Sequence, residues 1–426
     1  MTARAAKHAG RHQWHDSAAR RSRAPRHWLR AAAALFAIGY GANQFSSLMV
    51  MYREQAHYSA VTVAAFFGVY AAGLAPGLLL GGPASDRWGR RRLLLPALVV
   101  SAPASGVLAL GGVAAVSEVA LYTGRFLFGV VTGIAMAVGT TWAKELSQAP
   151  WDPGADAGAG ARRAALGLSA GFGIGPLVAG VLAQWAPAPM ELPYLVHIAL
   201  TVAVVAAVAG LPETRPAGAS RSGLRVHLPR RFRRVVAPMA PWVFGAPALS
   251  FAVQPAALGP RLAGFGLVYA TLLTTVTLGA GIAVQSWARR TSPVTGSRLG
   301  LAALVAGLLV AAAAAAIGSA VLAVAAAVVL GASYGLCLVA GLIEVQRMAE
   351  PGRLGGLTAV FYALTYVGFA LPVLLAALTG VAGYPVLLVG VALLAATSLA
   401  LVARGGAGPA RDLDASACSS DGSTGE

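Results

Sequence analysis

Gly82-Pro-Ala-Ser-Asp-Arg-Trp-Gly-Arg-Arg91 is the stretch on which the fold turns. With Arg92 it sets four arginines and one aspartate between two apolar runs, Ala60–Gly82 and Leu93–Ala115. Each run is long enough for one helix to cross a bilayer, which takes about 20 residues. At an offset of 199 residues the chain reads Gly281-Ile-Ala-Val-Gln-Ser-Trp-Ala-Arg-Arg290, again between two apolar runs. Gly, Trp and both Arg coincide, which argues for an internal duplication.

Working outward from this pair, twelve runs of spanning length can be counted: Leu29–Val50, Ala60–Gly82, Leu93–Ala115, Val119–Trp142, Ala164–Ala186, Leu192–Leu211, Val236–Leu258, Gly264–Ser286, Arg298–Ile317, Ala320–Ile343, Gly355–Leu378 and Ala382–Ala403. Runs of this length are helices, because in lipid each backbone group must be satisfied within its own segment. The expected fold class is therefore an all-α polytopic membrane protein, with 12 transmembrane helices in two pseudo-symmetric six-helix bundles, residues 29–211 and 236–403. An Arg-rich linker, 212–235, divides them. A basic tail, 1–28, precedes them, and a Ser/Gly-rich tail, 404–426, that reads as disordered follows.

The composition agrees. Of the 426 residues 57% are hydrophobic and 11% charged, and the mean hydropathy is +0.70. A water-soluble domain carries more charge than this, and a disordered chain is far less apolar. The net charge of +17 would suggest nucleic acid in a soluble protein, but its placement argues otherwise. Twenty-nine of the 32 basic residues fall in the first 30 residues, the even-numbered junctions or the carboxyl tail. Arg53 and Arg261 lie on the opposite side, and Arg125 lies within a span. That asymmetry predicts both termini in the cytoplasm. No short apolar segment with an A-x-A cleavage site follows the basic tail.

On these residues the chain resembles the major facilitator superfamily, across all twelve runs. Gly82, Asp86, Arg87, Gly89, Arg90 and Arg91 are similar to the family's loop signature between the second and third helices, with Ala84 in place of a larger aliphatic residue. Arg125-Phe-Leu-Phe-Gly129-Val-Val-Thr-Gly133 resembles its fourth-helix motif. Gly171-Phe-Gly-Ile-Gly175-Pro176-Leu-Val-Ala-Gly180 resembles the fifth-helix motif of bacterial drug–proton antiporters, although Arg162 and Ala179 depart from it. Leu211-Pro-Glu-Thr-Arg215 is similar to the common ending of the sixth helix. The resemblance implies a transporter of the bacterial inner membrane, rocking by alternating access about a site near the bilayer midplane.

Candidate residues follow. Asp86 among its arginines can latch helix ends together, with Gly355-Gly356 as the expected partner end and Glu145 as a partner for the arginines. Arg125 is a costly intramembrane charge. It either binds an anionic group, influences protonation of a nearby acid, or bonds carbonyls of the first helix. Glu118, seven residues earlier, lies on roughly the same face, and together they are the candidates for proton coupling. Asn43, Gln44, Arg125, Gln254, Tyr334 and Tyr366 are the candidate substrate contacts; the two amides of the first run serve equally well as glue between helices. Tyr269 and Tyr362 are further polar handles in apolar spans. Gly171, Gly175 and Pro176 are a candidate flexing contact between the bundles. Glu344 and Arg347, one turn apart, are expected to pair as an inner gate.

Nothing in the sequence points to an enzyme, a cofactor or a metal. His8, His12, His15 and His27 lie in or beside the basic tail, while His57, His197 and His227 are scattered, and Cys337 and Cys418 form no framework. The expected partners are a small molecule, protons and the lipid bilayer, with no nucleic acid, and the chain is expected to act as a monomer. Proton-linked efflux of a small amphiphilic compound is the function expected. Uptake of a sugar-like or organic-acid solute, or a non-transporting receptor that keeps the fold, are the alternatives.

Overall fold

Apolar runs rich in Ala, Gly, Leu and Val close their own backbone hydrogen bonds, and the chain folds accordingly. The computed structural model describes residues 26–156, 158–215, 228–262, 264–348 and 354–405, and among these there are helices and no strands. Residues 1–25, most of the linker (216–227), Arg353 and the tail from 406 lie outside the described residues, so the expectations placed on them stay there.

In chain order the helices are α1 His27–Asn43, α2 Phe45–Glu54, α3 Ala60–Trp88, α4 Arg90–Gly112, α5 Ser117–Glu145, α6 Ala159–Trp185, α7 Leu192–Val208, α8 Phe232–Leu258, α9 Gly266–Ala288, α10 Pro293–Ile317, α11 Ala320–Met348, α12 Gly356–Leu378 and α13 Tyr384–Gly405. Ten of these, α3 to α6 and α8 to α13, are long and apolar enough to cross a membrane. Two expected spans differ. The first run breaks at Gln44 into α1 and α2. There Asn43 bonds side chain to side chain with Ser46 at 2.7 Å and donates to the Phe172 carbonyl at 2.8 Å. Such local bonds compete with a continuous helix. The sixth run forms α7, whose 17 residues span about 25 Å against a hydrocarbon core of about 30 Å.

The outside is apolar, as a multi-pass membrane protein requires. Val381 is 85% exposed and Val321 82%, in surroundings that water would penalise. Inside, one cluster of buried side chains draws on residues 31–211 and another on residues 232–402. A third draws on both regions, joining Phe67, Tyr70 and Ala183 to Phe251, Leu267, Tyr366 and Phe369. These joining residues run from the end of the molecule near Arg53 to its middle. The opposite end carries Asp86.

Small residues let the helices touch backbone to backbone. A Cβ on Gly167 would lie 2.6 Å from the Ala32 carbonyl oxygen, and one on Gly171 2.8 Å from the Tyr40 nitrogen. Gly175 meets Tyr40 in the same way. The stripe therefore packs α6 on α1, within the amino-terminal region. The contact of α6 with the carboxy-terminal region is made further along, where Gly180 meets Thr271 of α9. Five residues from Gly175 to Gly180 turn the helix through about 140°, onto another face.

Candidate functional site

At the Asp86 end, α3 stops at Trp88 and the chain reverses through Gly89, whose φ of +103° favours glycine. A side chain there would also strike Glu213, its Cβ 2.7 Å from the carboxylate carbon. Glu213 uses its two oxygens to accept from the N–H groups of Arg90 (2.8 Å) and Arg91 (3.1 Å), the first turn of α4. Those donors have no partner within the helix, and the positive helix end favours the carboxylate. The Arg90 side chain turns inward. It is 7% exposed and donates to Asp86 at 2.6 Å, Ser85 at 2.7 Å and Glu145 at 3.2 Å. The second Glu145 oxygen accepts from Thr214, and the Trp142 indole donates to the Pro212 carbonyl at 3.1 Å.

The Leu211–Arg215 stretch thus ties the end of α7 to α4 and α5. The positive end of α4 holds the Glu213 carboxylate. The latch expected between Asp86 and the helix end at Gly355-Gly356 falls at the edge of the described residues. Of the remaining loop residues, Arg91 bonds the Ala209 carbonyl, Arg87 lies over the Trp88 ring at 5.4 Å, and Gly82 faces open space. Glu344 is also paired differently from expectation. It is 1% exposed and receives both Nε (2.9 Å) and Nη2 (3.0 Å) of Arg231, next to the start of α8. Arg347 is exposed; it is the buried carboxylate that needs a partner, and Arg231 reaches it in a two-pronged fit. That hydrogen bond holds the Arg231 guanidinium above its ordinary range.

Deeper in the molecule, Arg125 is 1% exposed. It donates to the Ala42 carbonyl of α1 at 2.9 Å and to the Phe66 carbonyl of α3 at 3.3 Å. Its guanidinium lies over the rings of Phe45 and Tyr70, each at 4.6 Å, and of Phe67 at 5.8 Å. Cation–π contacts of this kind strengthen when water is excluded. No carboxylate is within salt-bridge reach of it among the described residues. Glu118 is exposed in the first turn of α5.

Two of these rings continue into a seam shared by both regions. Phe67 meets Phe369 at 4.6 Å and Phe251 at 5.8 Å, and Tyr70 meets Tyr366 at 6.2 Å. Phe244 joins Tyr366 at 4.5 Å and Tyr334 at 5.8 Å. The Tyr366 hydroxyl reaches the Met136 sulfur at 3.3 Å. Of the expected substrate contacts, the structure brings together Tyr334 and Tyr366, with Arg125 one ring behind. Gln254 lies beside Ser250, donating to its hydroxyl at 3.2 Å, and Ser250 pairs with Thr277 at 2.7 Å. Asn43 is committed to the joint between α1 and α6. Gln44 is fully buried and points at Ser105 of α4 at 3.5 Å.

Sequence reasoning passed over Phe67, Tyr70, Phe244, Phe369, Glu213, Arg231 and His197. Glu213 stood inside a quoted motif and could have been found there. The aromatic residues look like ordinary core, and His197, wholly buried between α1 and α4, had no patterned neighbour.

This arrangement has known relatives in fold. The nucleoside transporter NupG superposes over 90% of this chain and 98% of its own, with a TM-score of 0.65 and 13% identity. A POT family transporter in complex with 5-aminolevulinic acid covers 89% of this chain and 95% of its own, with a TM-score of 0.70 and 12% identity. The POT family transporter PepTSo covers 90% and 98%, at 0.69 and 12%. No curated protein sequence matches the chain significantly. The family description Major Facilitator Superfamily matches residues 29–371, most of the chain. With the loop of Gly82–Arg91, the all-helical fold and these neighbours in agreement, the chain belongs to the Major Facilitator Superfamily.

Proposed function

We propose that this transporter exports a small, amphiphilic, aromatic compound in exchange for protons. In this reading twelve spans, counting α1 with α2 as one and α7 as another, form two six-helix bundles that rock about the seam. The Asp86 end faces the cytoplasm of a bacterial cell and the Arg53 end faces outward.

The observation that carries the reading is the aromatic seam. Phe67 and Tyr70 from one region meet Phe244, Phe251, Tyr366 and Phe369 from the other. A planar apolar solute can take the place of one ring against another, each such pair contributing about 0.5–1.5 kcal/mol beyond area burial. Hydroxyls at Ser250, Thr277 and Tyr366 supply the few polar contacts that orient a ligand. Arg125 is spent on carbonyls and rings, which argues against a carboxylate-binding role and so against an organic-acid permease. Import of a planar, nucleoside-like solute is the second reading, favoured by the same stacking surface and by the likeness to a nucleoside transporter.

Inside-out vesicles energised to be acidic within, carrying a pH-sensitive dye, test the proposal. Planar aromatic cations and neutral nucleosides are added in turn. Collapse of the gradient by aromatic amphiphiles, abolished by Tyr366→Ala and Phe244→Ala, supports export. Further acidification on adding nucleosides, the sign of co-transport with protons, supports the second reading. Silence to every compound, with the protein present and folded, removes the proton-linked reading.

A further inference from the structure

The proton-linked reading leaves a gap, because the first helix carries no carboxylate and Glu118 is exposed. The gap is filled by a group the function has not used. His197 is 0% exposed, and its ring is seated among α1, α4 and α5. It stacks on Tyr40 at 5.9 Å and meets the Phe128 edge at 5.5 Å. Room for it is made at Gly41, where a Cβ would lie 2.7 Å from the ring carbon Cε1.

The hydrogen bonds around the ring have a direction. Nε2 is 3.0 Å from the Ala37 carbonyl, which can only accept, so the neutral ring carries its proton on Nε2. Thr201 stands beside the same nitrogen at 3.2 Å. Nδ1 then accepts from the Ser105 hydroxyl at 2.8 Å, and Ser105 accepts from the Gln44 amide nitrogen at 3.5 Å. The other end of that amide, Gln44 Oε1, is buried with no partner, as is the hydroxyl of Ser47 three residues on. A buried acceptor without a partner is costly, and native proteins keep few of them. Here it stands where a second arrangement of the chain needs an acceptor.

We propose that His197 is a proton-binding site, linked through Ser105 to Gln44, that water reaches when the two regions part. The inference rests on the proton-linked reading above. A hydronium ion delivers a proton to the Ser105 oxygen and leaves as water. The Ser105 O–H bond breaks as its proton passes to Nδ1, and Ser105 keeps the arriving one. The imidazolium now donates from both nitrogens, to Ala37 and to Ser105. The Gln44 amide turns over, so that Oε1 accepts from the Ser105 hydroxyl. The acceptor orphaned in the resting state thus gains its partner when the ring is charged, and the chain resets when the proton leaves.

The charged and titratable side chains that the surrounding helices bury near this level are Tyr40 on α1, Arg125 on α5 and Tyr194 on α7. Arg90 of α4 lies at the far Asp86 end. No carboxylate faces the ring among the described residues. A cation formed here, on α7, therefore repels the Arg125 guanidinium of α5. The same stretch of α1 carries Ala42, the carbonyl that Arg125 holds. Protonation thus bears on the arginine that backs the aromatic seam.

The test is nitrogen NMR of histidine-labelled protein in lipid bilayers, with His197→Gln assigning the ring signals by difference. If that variant does not fold, Thr201→Val assigns them instead, through the altered Nε2 signal. The wild-type ring is expected as the Nε2–H form at neutral pH and doubly protonated on acidification. Gln44→Leu is expected to lower the proton affinity about tenfold, by removing the waiting acceptor. A ring that stays neutral throughout, or a Gln44→Leu protein that titrates like wild type, overturns the proposal. A ring that titrates as expected while no gradient drives any compound refutes proton-linked transport and leaves the site standing.

Discussion

Arg90 and Arg289 occupy the same place in two copies of one sequence pattern, and their surroundings have diverged. Arg90 is buried and holds Asp86, Glu145 and Ser85 together. Arg289 is exposed at the end of α9, where Gln285 stands in the place of Asp86. Gly89 reverses the chain in the first copy. Its counterpart Ala288 simply ends a helix. In the carboxy-terminal region the corresponding lock is built elsewhere, by Arg231 and Glu344 joining α8 to α11.

The divergence extends into the spans. The amino-terminal region buries Arg125 and His197 at depth, while the carboxy-terminal region buries hydroxyls, amides and rings, with Glu344 near one end of α11. A duplicated fold can thus divide its labour. One region holds the charge, and the other completes the aromatic seam.

The largest expected effect is at Arg125. Arg125→Ala strands two buried carbonyls and empties the space beneath three rings, at a cost of about 4 kcal/mol. Thermal unfolding in detergent reads this directly, and a near-neutral result would mean that the guanidinium is not a structural member of the first region. Next comes the paired arginine test. Arg90→Ala is expected to cost about 3 kcal/mol, by leaving two carboxylates without their cation, and Arg289→Ala at most about 0.5 kcal/mol. Equal losses would break the comparison outright. Glu344→Gln, which keeps the shape and removes the charge-assisted pair, should cost about 1–2 kcal/mol, sharpening the view that the second region has its own lock.

The smallest effect is in the loop before α6. Asp156 is held down to about 2, mainly by its hydrogen bond to Arg162 and further by the Gly158 N–H. Its folded value lies below the ordinary 3.8, so any stabilisation is present above that value and is lost as the pH falls toward 2. Both side chains are solvated, so Asp156→Asn should leave unfolding at neutral pH unchanged. A measurable loss there would show that this loop is more than a connection.

What the sequence disclosed follows from where each signal resides. The start of α3 at Ala60 and of α11 at Ala320 coincide with the ends of apolar runs, because hydropathy changes where lipid gives way to water. The other end of α3 runs on to Trp88, since a helix does not stop where its side chains become polar. Asp86, Arg90 and Glu145 were legible as one cluster because opposite charges at one membrane face seek each other. Glu213 was visible only as part of a motif and not as a member of that cluster, since its partners are backbone N–H groups, which every residue carries. The glycine spacing of 167, 171 and 175 revealed a packing face but not which helix lies on it. Glu344 had a local arginine at one-turn spacing, and its actual partner lies 113 residues away. His197 was illegible for a similar reason, since carbonyls and hydroxyls from distant helices leave no pattern.

The central claim is that this chain alone couples proton movement to an aromatic solute through the seam between its two regions. Purified protein in sealed proteoliposomes, given an imposed pH gradient and a fluorescent planar aromatic amphiphile, tests it most directly. The account predicts accumulation of the compound against its own gradient, abolished when the pH gradient is collapsed and when Tyr366 is replaced by Ala. Equilibration without accumulation, or transport indifferent to the seam, would contradict it.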